Sequence, residues 1–276
     1  METAGQSEPA TVEQSTQRRR APNVVVVLGQ ELRDVWFGGR GLVLSFAFSI
    51  LLSLIAYLVA TNQALNFLEQ REAVNLTLQV GIAVGTLLAL LAAADAVSGE
   101  RERGTLESLL LTPVSRLQLA TGKLLAALSL WLAAFVITVP YVWFLGRGVG
   151  IVSDALVTGI VVGTLLAIFV ASLGMLISIF AGSNRVSLSL GLFILLALYA
   201  PTQLPSSAQK GWAGEFLLRV NPLTAGEHYV GKIVASSHTW TEDLSWLASP
   251  LAAAVVFAVA AIFGARFIRL KGGVAG

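Results

Sequence analysis

The sequence contains no cysteine, only two histidines and little charge, and each shortage excludes a class of protein. Without cysteine the chain forms neither disulfide bonds nor thiolate metal sites, and it has no cysteine nucleophile. His228 and His238 alone cannot build a metal centre that needs several histidines. Asp, Glu, Lys and Arg make up 12% of the 276 residues, whereas soluble domains average about 25%. So few charged groups could not cover a water-soluble globule of this size, which excludes an ordinary soluble enzyme and predicts an integral membrane protein.

Hydrophobic residues make up 55% of the chain and gather into six apolar stretches of 19 to 27 residues that contain no Asp, Glu, Lys or Arg. About 20 helical residues cross a bilayer core that is about 30 Å thick. The sequence therefore predicts an all-α integral membrane protein with six transmembrane helices. The predicted spans are 41–60, 76–94, 124–145, 155–181, 186–204 and 247–265.

The region before the first span divides into two parts. Residues 1–21 are polar and show no periodicity, so we expect a disordered cytoplasmic tail. Within 22–37 the apolar residues recur at helical spacing, which predicts an amphipathic helix in the membrane interface. Its predicted apolar face consists of Val24, Val25, Leu28, Leu32, Val35 and Trp36. The rest of the chain, 22–276, is predicted to form one membrane domain.

Lysine and arginine are distributed unequally about the six predicted spans. Thirteen lie on the side that carries both ends of the chain, and five lie on the other side. Because basic residues are retained on the cytoplasmic side of a membrane, we predict a multi-pass protein of the plasma or inner membrane with both termini in the cytoplasm. The net charge of +2 implies no nucleic-acid partner.

Two long segments lie between predicted spans, 95–123 on the cytoplasmic side and 205–246 on the outside. The first begins with charged residues and continues with leucines at helical spacing, which predicts a short helix across the cytoplasmic end of a helical hairpin. The leucines of this face are Leu106, Leu109 and Leu110. Pro113 is expected to end that helix, and Ser115 with Gln118 forms a capping-box pattern for the next one.

The charged segment also carries a longer motif. Residues 100–116 read Glu-Arg-Glu-Arg-Gly-Thr-Leu-Glu-Ser-Leu-Leu-Leu-Thr-Pro-Val-Ser-Arg, and Gly122-Lys123 follows. This run resembles the signature of type-2 ABC transporter permeases, in which a cytoplasmic coupling helix between spans two and three carries E-x-E-x-G-T-L-E-x-L-L-x-T-P with a following G-K. The six predicted spans and the amphipathic helix before them agree with that family. Asn221-Pro222 resembles the N-P step of its external region, where the resemblance implies short helices between spans five and six.

The resemblance implies a membrane subunit of an ATP-driven transporter, most often an exporter. Two such subunits, identical or different, would form the substrate pathway in the lipid bilayer, and two ABC ATPase subunits would dock on their cytoplasmic side. ATP and Mg²⁺ would be bound by the ATPase, and this chain would need no cofactor or metal of its own. It lacks a G-x-x-x-x-G-K-[ST] loop, because Leu124 follows Gly122-Lys123. We therefore expect a transport subunit without catalytic residues rather than an enzyme.

The same resemblance assigns the contact with the ATPase to the segment 98–113. The residues that match the family motif there are Glu100, Arg101, Glu102, Arg103, Gly104, Thr105, Leu106 and Glu107. The alternative interpretation of such a run of charges is a solvated helix face without a partner.

Two other functional classes are weighed against this one. A self-sufficient secondary transporter or channel usually carries ionisable groups or broken repeats inside its spans, and the predicted spans show neither. An intramembrane protease needs a nucleophile and a base that face each other in the bilayer, but both histidines lie in the external segment.

Some weaker patterns leave two interpretations open. Gly81-x-x-x-Gly85 and Gly159-x-x-x-Gly163 favour close helix packing, either at a subunit interface or a moving helix interface, or within one six-helix bundle. Glu227 and His228, with His238, could bind a metal ion, but surface polar residues are the preferred interpretation. The aromatic residues of 205–246 fit an interfacial belt better than substrate contacts.

Overall fold

The computed structural model describes residues 24–61, 67–111, 114–203 and 211–268. The predicted tail at 1–21 and the expected helix end at Pro113 lie outside these residues.

The described residues form helices connected by short turns, without strands. The helices are α1 Val24–Phe37, α2 Arg40–Ala60, α3 Phe67–Asp95, α4 Ser98–Arg103, α5 Thr105–Leu110, α6 Arg116–Gly146, α7 Val152–Phe180, α8 Asn184–Tyr199, α9 Trp212–Val220, α10 Pro222–Val234 and α11 Ala248–Gly264. Short 3₁₀ turns at Ala200–Gln203, Leu244–Leu247 and Ala265–Phe267 extend α8 and flank α11.

Within the described residues six helices are long and apolar enough to cross a membrane, which confirms the predicted number of spans. Their apolar segments are Gly41–Val59, Glu69–Asp95, Arg116–Gly146, Val152–Phe180, Asn184–Thr202 and Leu244–Phe267. The predicted spans mark only the uncharged part of each helix: α3 begins at Phe67, before the predicted span at residue 76, whereas α6 begins at Arg116, where the capping-box pattern predicted a helix to start. Charged side chains do not interrupt the backbone hydrogen bonds of a helix, so each helix continues beyond its uncharged part. Ser115 and Gln118 form the predicted capping box at the start of α6.

Because the spans alternate in direction, the bundle has two ends. One end carries α1, α4, α5 and the turn after α11. We name it the basic face, because the thirteen lysines and arginines counted above lie in the segments before, between and after the spans at this end. The other end carries the α6–α7 turn together with α9 and α10, and we name it the opposite face.

The centre of the bundle is formed by α3, α6 and α7, which pack around Trp131. This indole is fully buried and donates a hydrogen bond from Nε1 to Thr164 Oγ1 at 3.1 Å. A Cβ built on Gly85 would lie 2.6 Å from the indole ring, and one built on Gly163 would lie 2.1 Å from it. Both glycines therefore serve close packing within one chain.

The other two glycines of the small-residue pairs are covered in the same way. A Cβ built on Gly81 would lie 2.6 Å from Thr138 Oγ1, and one built on Gly159 would lie 2.6 Å from Leu78 Cδ1. All four glycines therefore pack against side chains of the same chain, which supports the interpretation of these pairs as packing within one bundle.

Helix α1 forms as predicted, but its most buried residue is Val27, whereas Val25 is 75% exposed. The reason is that α1 packs directly on α6. A Cβ built on Gly122 would lie 2.8 Å from Val27 Cγ1, so the absence of a side chain there lets α1 approach. Trp36 fixes the other end of α1 by donating a hydrogen bond to Ser129 Oγ at 3.1 Å.

Candidate functional site

The charged segment lies at the corner between α3 and α6 on the basic face. The predicted single helix is divided into α4 and α5 at Gly104, which ends α4 with a φ of 74°. A left-handed backbone conformation of this kind is favourable for glycine and strained for other residues. Leu106 follows and is 1% exposed, so it faces the bundle as the leucine spacing predicted. The side chains of Leu109 and Leu110 lie outside the described residues.

A buried ion cluster holds α4 against α1 and α6. Lys123 Nζ lies 2.9 Å from Glu31 Oε1 and also contacts the Glu100 carboxylate. The Lys123 side chain is 3% exposed, and the two carboxylates are 15% and 14% exposed. Burial raises the pKa of Glu100 above its ordinary value of 4.5, and the nearby Lys123 opposes this rise. One cation therefore neutralises two largely buried acids from two different helices.

Arg101 fastens the same corner to the end of α7. Its guanidinium donates one hydrogen bond to the Ala181 carbonyl at 2.7 Å and another to the Ile179 carbonyl at 3.0 Å. These carbonyls belong to the last turn of α7, where the helix dipole is negative and backbone acceptors lack partners within the helix. Arg101 is thus a cap for a transmembrane helix as well as a member of the charged motif.

Hydroxyl groups complete the joint between the α3–α4 corner and α7. Ser178 Oγ accepts hydrogen bonds from the backbone amides of Val97 at 3.0 Å and Ser98 at 2.9 Å. Ser98 Oγ in turn donates to the Ala94 carbonyl at 2.7 Å. All three side chains are buried, so the corner is rigidly attached to the bundle.

The first turn of α8 belongs to this joint too. Its residue Asn184 donates from its backbone amide to Glu102 Oε2 at 3.0 Å and from Nδ2 to Asp95 Oδ1 at 2.7 Å. Arg103 also contacts Asp95, at 3.5 Å. An acidic side chain near the start of a helix is stabilised by the helix dipole.

The structure separates the eight motif residues into two groups. Glu100, Arg101 and Leu106 point toward the bundle and hold the segment in place. The five that remain exposed on the basic face are Glu102, Arg103, Gly104, Thr105 and Glu107. Sequence reasoning missed Glu31 and Lys123 as members of this site. The available signal was a lysine immediately before an apolar span, which needs a partner when it is buried.

A second polar feature lies between α3 and α10, near the opposite face. Glu72, Asn75, Gln79 and Thr86 recur on one side of α3, at intervals of three, four and seven residues. Asn75 Nδ2 donates to Glu72 Oε2 at 3.5 Å, and Gln79 Nε2 donates to Asn75 Oδ1 at 3.3 Å. We name these four residues the α3 polar stripe.

Helix α10 faces this stripe. A Cβ built on Gly231 would lie 3.9 Å from Asn75 Nδ2 and 4.0 Å from Gln79 Nε2. Glu227 lies one helical turn earlier on α10 and is largely buried. The interpretation of Glu227 as a surface residue is therefore wrong, because α10 packs into the bundle instead of lying on it.

The histidines do not gather metal ligands in the described part of the chain. His228 is half-buried and packs on the Trp246 ring with 4.0 Å between ring centroids. His238 Nδ1 lies 2.8 Å from Asp243 Oδ2. Among the described residues no group of three or more His, Cys, Asp and Glu side chains could hold a metal ion.

Comparison with known proteins agrees with this architecture. A sequence model described as ABC-2 family transporter protein matches residues 25–270. A search of curated proteins finds no match. The matched range includes all six spans, the charged segment of the basic face and α10. The chain therefore belongs to the ABC-2 family and is a multi-pass membrane permease subunit, and membership of this family implies an ABC ATPase partner.

Proposed function

We propose that this chain forms the substrate pathway of an ATP-driven exporter. Two six-span subunits, identical or different, assemble in the plasma or inner membrane, and two ABC ATPase subunits that bind ATP and Mg²⁺ dock on the basic face. Export is proposed because type-2 permeases, which the charged motif resembles, mostly export. Membership of the ABC-2 family favours this function over a self-sufficient secondary transporter or channel.

The orientation follows from the basic residues. We place the basic face and both termini in the cytoplasm, where lysine and arginine are retained during membrane insertion. The natural absence of cysteine makes this directly testable. A single cysteine introduced as Glu107→Cys on the basic face should resist an impermeant maleimide in intact cells. Glu242→Cys, at an exposed position near the opposite face, should react. The reverse pattern would contradict the orientation.

The observation that carries the proposed docking site is the division of the charged segment 98–113 into anchoring and exposed residues. Arg103 and Glu107 project from the basic face, where an ATPase can reach them. Glu100 and Arg101 tie the same two short helices to the bundle. A solvated helix face without a partner would not need such an attachment.

The attachment also provides a route for mechanical coupling. Glu100 connects α4 through Lys123 to α1 and α6. Arg101 connects α4 to the end of α7, and Glu102 connects it to the start of α8. We propose that a displacement of α4 by the ATPase moves the ends of these four helices together, because the alternative is to separate buried charges.

The test is ATP hydrolysis by the complex in nanodiscs. The chain is co-expressed with its cognate ABC ATPase, and the variant Arg103→Ala with Glu107→Ala is compared with Glu242→Ala on the opposite face. We expect the double variant to insert and melt normally while it loses both co-purification of the ATPase and the hydrolysis that depends on the chain. Glu242→Ala should retain both. Unchanged docking in the double variant would contradict the proposed site.

A further inference from the structure

We propose that a cleft on the basic face, between the start of α6 and the end of α11, binds an anionic phospholipid. The cleft has a volume of about 450 Å³. It is lined by Arg116, Leu117, Ile262, Phe263, Ala265 and Arg266, and we name it the arginine cleft. Two guanidinium groups thus border a cleft whose other lining residues are apolar. The lipid phosphate would lie between the arginines, and an acyl chain would follow α11 into the membrane.

The two arginines come from different helices and are held together by a hydrogen bond. Arg116 is the first residue of α6, and its Nη1 donates to the backbone carbonyl of Arg266 at 2.9 Å. The guanidinium of Arg266 lies over the Phe263 ring, 4.9 Å from the ring centroid. Among the described residues these are the contacts of the two guanidinium groups. Most of their N–H donors are therefore available to a phosphate, which arginine binds through several parallel hydrogen bonds.

No acid compensates these two charges in the described part of the chain. Neither Arg116 nor Arg266 forms an ion pair there, whereas the buried Lys123 is neutralised by two carboxylates. The neighbouring sequence supplies no acid either, since Asp and Glu are absent from 108–153 and from 244–276. Two like charges that border one cleft repel each other, and an anion between them would remove this repulsion. The arginine cleft is therefore complementary to a negatively charged group.

The side of α11 that leads to the cleft favours a lipid over a soluble anion. This side carries Val255, Val259 and Ile262 before it reaches Arg266. The four residues recur at intervals of three or four, as residues on one side of a helix do. The three apolar side chains are exposed, so this side faces away from the bundle toward the bilayer. An acyl chain can therefore lie against α11 while its headgroup occupies the cleft.

The length of this apolar side matches one leaflet of a bilayer. Val255 lies about 16 Å from Arg266 along the helix axis, at about 1.5 Å per residue. Half of a hydrocarbon core that is about 30 Å thick measures about 15 Å. A phospholipid with its phosphate beside Arg266 would thus place its acyl chain along α11 as far as the middle of the membrane.

The paired arginines select a lipid with net negative charge. The phosphate of phosphatidylglycerol carries no neighbouring cation, whereas phosphatidylcholine carries a trimethylammonium group that the arginines repel. Basic pockets between transmembrane helices bind anionic headgroups in this way. Retention of basic residues during insertion accounts for arginine on this side of the membrane, but it does not account for two guanidinium groups at one cleft. A phosphate bound by both would connect α6 to α11.

Native mass spectrometry of the full chain in micelles, without an ATPase, tests the proposal. Dioleoylphosphatidylglycerol and dioleoylphosphatidylcholine are titrated separately, and the dissociation constants of the first bound lipid are compared. We expect phosphatidylglycerol to bind about 30-fold more tightly, which corresponds to about 2 kcal/mol, the contribution of two basic residues beside an anionic lipid. Inorganic phosphate at millimolar concentration should not displace it, because a soluble anion makes no contact with the apolar side of α11.

Variants locate the bound lipid. Arg116→Gln with Arg266→Gln should reduce the preference for phosphatidylglycerol to less than about threefold. The matched control Arg147→Gln should retain the preference, because Arg147 is also exposed and lies over an aromatic ring but is at the other end of α6. Ile262→Trp narrows the cleft without changing its charge and should weaken binding. Val256→Trp, at an exposed position on the same helix outside the cleft lining, should not.

Five results would overturn the proposal. They are equal binding of the two lipids, displacement of phosphatidylglycerol by inorganic phosphate, an unchanged preference in the double arginine variant, an equal loss in Arg147→Gln, and full binding by Ile262→Trp. Displacement by inorganic phosphate would identify the cleft as a site for a soluble anion instead. Because no ATPase is present, each of these results is independent of docking on the basic face.

Discussion

The buried ion cluster of Lys123, Glu31 and Glu100 makes a quantitative prediction about the basic face. The substitution Lys123→Met keeps most of the side-chain volume but leaves two carboxylates, each about 85% buried, without their shared cation. Removal of one partner of a buried ion pair costs about 3–5 kcal/mol. Because the carboxylates retain some contact with water, we expect the lower end of this range, about 3 kcal/mol.

The assay is the free energy of unfolding in micelles, measured by denaturant titration at neutral pH. Lys232→Met, at a partly exposed lysine on α10, is the matched control and should change stability by less than about 0.5 kcal/mol. The double variant Lys123→Met with Glu100→Gln should be more stable than Lys123→Met alone, because it leaves one buried carboxylate instead of two.

The stability deficit should also depend on pH. Burial raises the pKa of Glu100, so the folded state binds a proton at this carboxyl more readily than the unfolded state does. Loss of Lys123 raises that pKa further, because the lysine opposes the rise. Protonation then relieves the uncompensated charge, and the deficit of Lys123→Met should shrink as the pH falls from neutral toward acid. A deficit below about 1 kcal/mol at neutral pH, or one that grows in acid, would refute the cluster as a buried joint.

Two further substitutions test the attachment and the centre of the bundle by the same unfolding assay. Arg101→Gln removes two charged hydrogen bonds to the end of α7 and should lower the free energy of unfolding by about 2–4 kcal/mol. The Arg103 side chain is 47% exposed, so the control Arg103→Gln should lower it by less than about 0.5 kcal/mol. Equal effects of the two substitutions would contradict the capping role of Arg101. Gly163→Ala should destabilise the bundle by about 1–3 kcal/mol, because the new Cβ would overlap the ring of Trp131. Gly29→Ala, where nothing lies within 4 Å, should be neutral or stabilising by up to about 1 kcal/mol, and a loss of stability there as large as at Gly163 would refute the packing argument.

The number of spans could be predicted from the sequence because the bilayer allows few solutions. An apolar segment of about 20 residues without charge must satisfy its backbone hydrogen bonds internally, and a helix does so. The helix ends were less predictable. Phe67 begins α3 outside its apolar run, because the hydrogen bonds that propagate a helix do not depend on the polarity of its side chains. The start of α6 at Arg116 also lies outside an apolar run, but its capping box could be predicted.

The candidate site could be located from its motif, but its internal division could not. Lys123 meets Glu31, which is 92 residues away in the sequence, and Arg101 caps carbonyls 78 and 80 residues further on. Such contacts depend on how the spans pack, and local spacing contains no information about them. The alternating charges of the motif therefore do not indicate that Glu100 and Arg101 anchor the segment while their neighbours are exposed.

Glu227 was misjudged for a related reason. At 13 residues α10 is too short to cross a bilayer, so a prediction based on span length places this helix outside the membrane. Its depth follows from the contact of Gly226 with α7, which only the folded structure reveals. The six predicted spans contain no charged residue, but the interior of the bundle also includes α10, which carries Glu227.

The central claim is that the exposed part of the charged segment contacts the ABC ATPase, and site-specific photocross-linking tests it most directly. Benzoylphenylalanine is placed at Glu107 on the basic face and, as the control, at Glu215 near the opposite face, both exposed positions. The account predicts a covalent product with the ATPase from position 107 and none from position 215. A product from position 215, or none from position 107 in a complex that hydrolyses ATP, would contradict it.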